Sequence, residues 1–273
     1  MTRLVCLGDS FTEGMADDLR PDGHHRGWSD RVAEGLARHA AAAGGTVEYA
    51  NLAVRGKLLD QVVAEQVGPA LAMAPDLVTF HAGPNDVLRP RTDFDDLMRR
   101  YEAAVVSLVG SGARAVLFTS ITRAGGTGRV ADRLESRFVA FNRGVRRVAE
   151  RNGCLLVDDE RVRALTDRRF WATDRLHLNA LGHQRVAANV LATLGVADPE
   201  ILGGPVGWWE EPLPAPPPAS RRDALAADAE WVRVHLVPWI GRRLRGVSSG
   251  DGRDPKDPVP RVIAPAAGVR EGP

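Results

Sequence analysis

Two short stretches of this 273-residue chain hold residue types that could act together, and two more could assist them. Gly8-Asp9-Ser10 follows the apolar run Leu4-Val5-Cys6-Leu7 and leads into a polar turn closed by Gly14. A continuous apolar run closed by turn residues reads as a buried parallel strand, and open α/β sheets bind ligands at the carboxyl ends of such strands. Ser10 would hold its hydroxyl at that edge. Alone, the tripeptide reads equally as an ordinary turn with Ser10 capping a helix. The second stretch is Asp174-Arg175-Leu176-His177. Residues three apart on a turn share a face, so a carboxylate at Asp174 can accept from one nitrogen of His177 and leave the other for a hydroxyl. That is the nucleophile, base and orienter arrangement of acyl transfer. Isolated Asp-x-x-His is more often a surface pair.

The two assisting stretches are Asn51 to Gly56 and Gly83-Pro84-Asn85-Asp86, each at the end of an expected strand. Gly56 lacks a Cβ and can bring its backbone N–H close to a ligand, and Asn85 can offer an amide donor. With the Ser10 N–H they could surround a developing oxyanion. Gly56 as a loop turn and Asn85 bonded to its own backbone are the alternatives. His81 could line the site but reads better as a packed strand-end residue, His24 and His25 read as exposed loop residues rather than substrate contacts, and His183 as structural or solvated. Asp9 and Asp86 read as turn-holding residues. Asp158-Asp159 has no His or Cys cluster beside it, so no metal and no cofactor are expected.

The elements that would position these residues alternate. Strands are expected at 4–7, 47–50, 76–81, 115–119 and 154–157. Helices are expected at 28–43, 58–72, 94–109 and 132–151, with apolar residues at helical spacing, and a final one at 180–194. Five strand–helix alternations predict a parallel five-stranded sheet covered on both faces, a three-layer α/β/α sandwich of flavodoxin-like type with a C-terminal extension. The expected organisation is a catalytic domain over 1–202, a Pro-rich linker over 203–219, a partly helical extension over 220–247 and a disordered tail over 248–273. A helix over 221–245 should be interrupted at Pro238. Its Trp231, Leu236, Trp239 and Ile240 are too apolar for a free segment and should dock on the catalytic domain. Residues beyond Pro218 are nonetheless expected to be separable from catalysis.

A formal net charge of +1 gives no field for nucleic acid, so no such partner is expected. No apolar run is long enough to span a bilayer, and a membrane partner is not expected. The two cysteines, Cys6 and Cys154, fall in expected strands and suit free thiols. With no apolar leader at the start, a cytoplasmic location is expected. The oligomeric state is open.

Gly8-Asp9-Ser10, Gly56, Gly83-Pro84-Asn85-Asp86 and Asp174-Arg175-Leu176-His177, in that order, resemble the four blocks of the GDSL/SGNH hydrolases, a family of serine esterases and lipases. The resemblance covers residues 2 to 196. It implies a nucleophile at Ser10, a base at His177 oriented by Asp174, and an oxyanion hole from Ser10, Gly56 and Asn85. Many relatives carry an earlier glycine where Ala53 stands, and leucine where Phe11 stands. The Gly-x-Ser-x-Gly elbow of α/β-hydrolases is absent around Ser10. The expected activity is hydrolysis of small-molecule carboxylic esters through an acyl-serine. The same residues would permit carbohydrate O-deacetylation or acyl transfer. A non-catalytic binding module would leave Asp174-x-x-His177 without a purpose.

Overall fold

The computed structural model describes residues 1–122, 128–215, 220–238, 241, 245 and 248–265. Trp239, Ile240, the linker residues 216–219 and the tail residues 266–273 lie outside the described residues.

The strands are β1 (Thr2–Gly8), β2 (Val47–Asn51), β3 (Leu77–His81), β4 (Arg114–Phe118), β5 (Leu155–Val157) and β6 (Asp257–Ile263). They form one sheet in the order β5-β4-β3-β1-β2-β6, parallel except for β6. Successive side chains of a strand point to opposite faces, and β1 shows it. Leu4 and Cys6 join one buried cluster with Trp28, Phe118 and Leu191, while Val5 and Leu7 join another with Phe80, Tyr101 and Phe141. Helices α2 (Gly27–Ala41), α8 (Ala180–Thr193) and the short α9 (Pro199–Leu202) cover the first face. Helices α6 (Phe94–Gly110) and α7 (Arg129–Arg151) cover the second. The sandwich is thus the expected one.

The chain leaves β1 for β2 on one side and returns to β3 on the other. The carboxyl ends of β1 and β3 therefore flank the topological switch point, where α/β sheets form their ligand crevice. After β1 the backbone enters a four-residue helix, α1 (Ser10–Glu13), closed by Gly14 at φ +91°. A Cβ at Gly14 would collide with the Gly27 backbone at the start of α2, so both the turn and the packing require glycine there.

This sharp turn leaves backbone groups without strand or helix partners, and buried side chains supply them. The Gln66 amide pairs with both the Gly8 N–H (2.8 Å) and the Gly8 C=O (2.9 Å). Gln66 reaches inward from a π-helical turn (Val63–Val67) between α3 (Leu59–Val62) and α4 (Gly68–Ala72), where a regular helix over 58–72 was expected. Asn51 and Ser29 both donate to the Thr12 carbonyl, at 2.9 and 3.0 Å. Lys256 donates to the Glu13 carbonyl at 2.7 Å.

Lys256 belongs to the stretch expected to be disordered, and here the structure corrects the sequence reading. The sheet has six strands rather than five, and β6 pairs antiparallel with β2, Val47 opposite Ile263 and Tyr49 opposite Arg261. Pro258 and Pro260 make this segment read as a non-strand. On an edge strand, however, a missing N–H is tolerated where it would face away from the neighbour. The Lys256 ammonium, whose side chain is 1% exposed, also meets the Asp30 carboxylate and the carbonyls of His25 and Arg26. Arg20 bridges Asp30 and Asp257 at 2.9 and 2.6 Å, tying the tail to α2. The expected linker is also folded at its start. Trp209 is buried, and Arg185 donates to the carbonyls of Trp209 and Glu211.

Removing one partner of a buried ion pair costs about 3–5 kcal/mol, because the other charge stays buried. Lys256→Met should therefore lower the stability measured by urea denaturation by about that amount. A change below about 1 kcal/mol would mean that the tail is not anchored through this side chain.

Candidate active site

Ser10 is the first residue of α1, immediately beyond β1, so its side chain and N–H stand at the crevice. Asp9 caps this helix. One carboxylate oxygen accepts from the Phe11 N–H at 3.1 Å, and the other accepts from the Asn85 amide at 3.1 Å. Asn85 lies on α5 (Pro84–Val87), directly after β3, and its amide also donates to the Lys57 carbonyl at 3.0 Å. Asp86 does more than hold its own turn, since it accepts from the Leu59 N–H at 2.9 Å and fixes the start of α3.

Asp174 and His177 lie on a loop between Phe170 and α8. The His177 Nδ1 meets Asp174 Oδ2 at 2.7 Å. The other carboxylate oxygen accepts the Leu176 and His177 backbone N–H groups at 2.9 and 3.0 Å. Burial pushes the Asp174 carboxyl up, but the hydrogen bond from His177, its charge and the two backbone donors outweigh it and hold the group at about 2. The carboxylate stays ionised and can orient the imidazole, leaving Nε2 for another partner.

Ser10, Asn85 and His177 all line one cavity of about 700 Å³. Apolar side chains make up much of its wall, including Leu88, Ile121, Leu134, Phe138 and Trp171. Gly56 is not among the lining residues. Beside it, the Arg55 N–H and guanidinium both bind the Glu13 carboxylate of α1. Gly56 is also covered from the tail side, since a Cβ there would collide with Ser248. His81 both packs and lines the cavity: its ring stacks on Phe11 at 4.4 Å, and its Nδ1 lies 3.7 Å from Asp9. Among the described residues no group of three or more His, Cys, Asp or Glu could hold a metal. Nor, among them, is any helix long and apolar enough to cross a membrane. Asp158 is held by Arg146 and Thr119, and the buried Asp159 is bonded by Asn189.

The extension expected to be separable from catalysis reaches the site. Ala227, Asp228 and Trp231 of α10 (Arg221–Trp231) line the cavity, and the Trp231 indole donates to the Asp174 carbonyl at 2.7 Å. Trp231 is docked, as its apolarity implied, but at the site itself. The sequence flagged it only as a residue seeking cover. Gln66 was legible only as a polar residue on the apolar face of its helix, and Lys256 had no sequence signal.

A mostly parallel sheet between helical layers, with these polar groups at its switch point, is the architecture of SGNH-type ester hydrolases. Two solved structures share it. One is LAE5, an alpha/beta hydrolase enzyme from the metagenome of Lake Arreo, Spain (24% identity, TM-score 0.58, 71% of this chain and 95% of that one). The other is Axe2, an acetylxylan esterase from Geobacillus stearothermophilus (21% identity, TM-score 0.58, 71% and 94%). No curated protein matches the chain significantly. The model of the GDSL-like Lipase/Acylhydrolase family matches residues 6–185, and the chain belongs to that family of ester-hydrolysing enzymes.

His183 also borders the cavity, buried and held between the Trp28 N–H (3.2 Å) and the Met15 carbonyl (3.0 Å). Burial pushes it down to about 4. Between that value and the ordinary ~6.5 the unfolded chain binds a proton that the folded chain refuses, so stability must fall as pH drops through this window. Thermal unfolding should show Tm declining from about pH 6.5 to 4, with the His183 imidazole still neutral by NMR at about pH 5.5 and above. A protonated His183 in folded protein at pH 6 would contradict this.

Proposed function

We propose that the enzyme is a serine esterase that cleaves carboxylic esters through an acyl-serine intermediate. The observation that carries this reading is the 2.7 Å Asp174–His177 pair opening on the same cavity as Ser10. Ser10 Oγ attacks the ester carbonyl, and its proton passes to His177 Nε2. Collapse of the tetrahedral intermediate breaks the bond to the alkoxy oxygen, which takes that proton and leaves as the alcohol. Water, deprotonated by His177, then attacks the acyl-serine; the bond to Ser10 Oγ breaks, Oγ takes the proton back from His177, and the acid leaves. Asp174 keeps the imidazole oriented and stabilises its charged form.

The oxyanion donors in this reading are the Ser10 N–H and the Asn85 amide. The Ser10 N–H has no hydrogen-bond partner among the described residues. The Asn85 amide would share with the oxyanion a hydrogen it now gives to Asp9 or Lys57. Gly56, the third donor implied by the family resemblance, has less support because its loop stands outside the cavity lining. The apolar wall favours an ester with an apolar acyl or aryl group over an acetylated sugar chain.

Ser10→Ala should abolish hydrolysis of p-nitrophenyl esters, a loss on the order of 10⁶ in kcat for a nucleophile in such a triad. It should also abolish labelling by an organophosphonate. Substantial turnover by purified Ser10→Ala protein would sink the acyl-serine reading. Asn85→Ala should lower kcat by about 10²–10³ with little change in KM, since the charge it holds exists only in the transition state. An unchanged kcat would remove Asn85 from the oxyanion hole.

A further inference from the structure

Asp174 and His177 sit on a tight loop rather than on a regular element. Ala172 N donates to the His177 carbonyl at 2.9 Å, and Arg175 N donates to the Ala172 carbonyl at 3.1 Å. At the tip, Arg175 has φ +59°, the left-handed region that a residue with a Cβ enters only against a steric penalty. Such a conformation persists where the surroundings over-determine it.

Three contacts from α10 do so. The Trp231 indole N–H donates to the Asp174 carbonyl at 2.7 Å. The Arg175 guanidinium lies over the Trp231 ring, 5.0 Å from its centre. Arg175 also pairs with Asp228 at 2.6 Å. Asp228 and Trp231 are three residues apart, on one face of the helix. The carbonyl that Trp231 holds belongs to the peptide joining Asp174 to Arg175. Turning that peptide would move the Asp174 carboxylate, which in turn holds His177 by its backbone N–H and its ring. The Arg175–Asp228 pair is open to water on the Asp228 side and contributes little. The indole bond lies beneath the guanidinium and is better shielded.

Helix α10 lies beyond residues 6–185, the span that the family model matches. We propose that Trp231 is a positioning residue of the active site. Its indole N–H clamps the Asp174–Arg175 peptide so that the Asp174–His177 pair faces Ser10, and its ring, with Ala227, walls the substrate cavity. The inference rests on the acyl-serine reading and adds to it a residue from the extension.

Trp231→Phe keeps an aromatic ring under Arg175, with a smaller face, and removes the donor. It should lower kcat on p-nitrophenyl acetate about five- to tenfold, the worth of one shielded hydrogen bond, with KM within about twofold. Phosphonate labelling of Ser10 should slow in proportion. A merely structural role would instead lower Tm and leave kcat per folded molecule unchanged. Trp231→Ala also removes the wall, so its kcat/KM for p-nitrophenyl octanoate relative to acetate should rise. Full kcat in folded Trp231→Phe, or unchanged selectivity in folded Trp231→Ala, in a background where wild-type Ser10 is labelled, would overturn this inference alone. Wild-type protein that is not labelled at Ser10 would overturn the acyl-serine reading and this inference with it.

Discussion

The sharp turn after β1 imposes the constraint on which the rest of the structure depends. It puts Ser10 at the sheet edge by breaking off a strand inside the protein, and that leaves buried carbonyls and an N–H with no regular partner. Each such group left unpaired would cost about 1–3 kcal/mol. The molecule answers with Gln66 on Gly8, Asn51 and Ser29 on Thr12, and Lys256 on Glu13. These side chains come from the π-helical turn, β2, α2 and the tail. The turn bearing Ser10 is thus held from four directions, so the position of its hydroxyl is a property of the whole sandwich.

What the sequence made legible follows from how local the signals were. The alternation of apolar runs and helical stripes is a repeated pattern, and it survives small boundary errors. Ser10, Asn85 and the Asp174–His177 pair sit beside strand ends or three residues apart, where spacing alone brings them together. Gln66 and Lys256 act over long sequence separations, on Gly8 and Glu13, and a single polar residue does not announce a distant carbonyl. β6 was hidden by composition: Pro258, Pro260 and the neighbouring glycine and charged residues read as disorder. Charges that look solvated in sequence, Lys256 and Asp257, are buried against Asp30 and Arg20.

The extension changes how the chain divides. A catalytic domain followed by a tail separable from catalysis is a reasonable reading of proline content, yet the tail's two halves do different work. The segment around Lys256 secures the turn that carries Ser10. The segment around Trp231 meets the loop that carries Asp174 and His177. The candidate nucleophile and the candidate base are thus each braced by residues that come after the part of the chain shared with the family. Gly56 shows the other side of this arrangement: the tail residues over it occupy space next to its loop.

β6 also governs what other molecules can do to this one. The exposed edge of a sheet is a template on which a foreign strand can add, the first step of domain swapping and aggregation. Without β6, the row of donors and acceptors along β2 would be such a template. With it, the outermost strand carries two prolines, and neither offers an N–H to an incoming chain. The protein shields its own β2 with a segment on which a further strand is hard to build. At high concentration, this flank of the sheet should therefore resist recruitment by neighbouring copies.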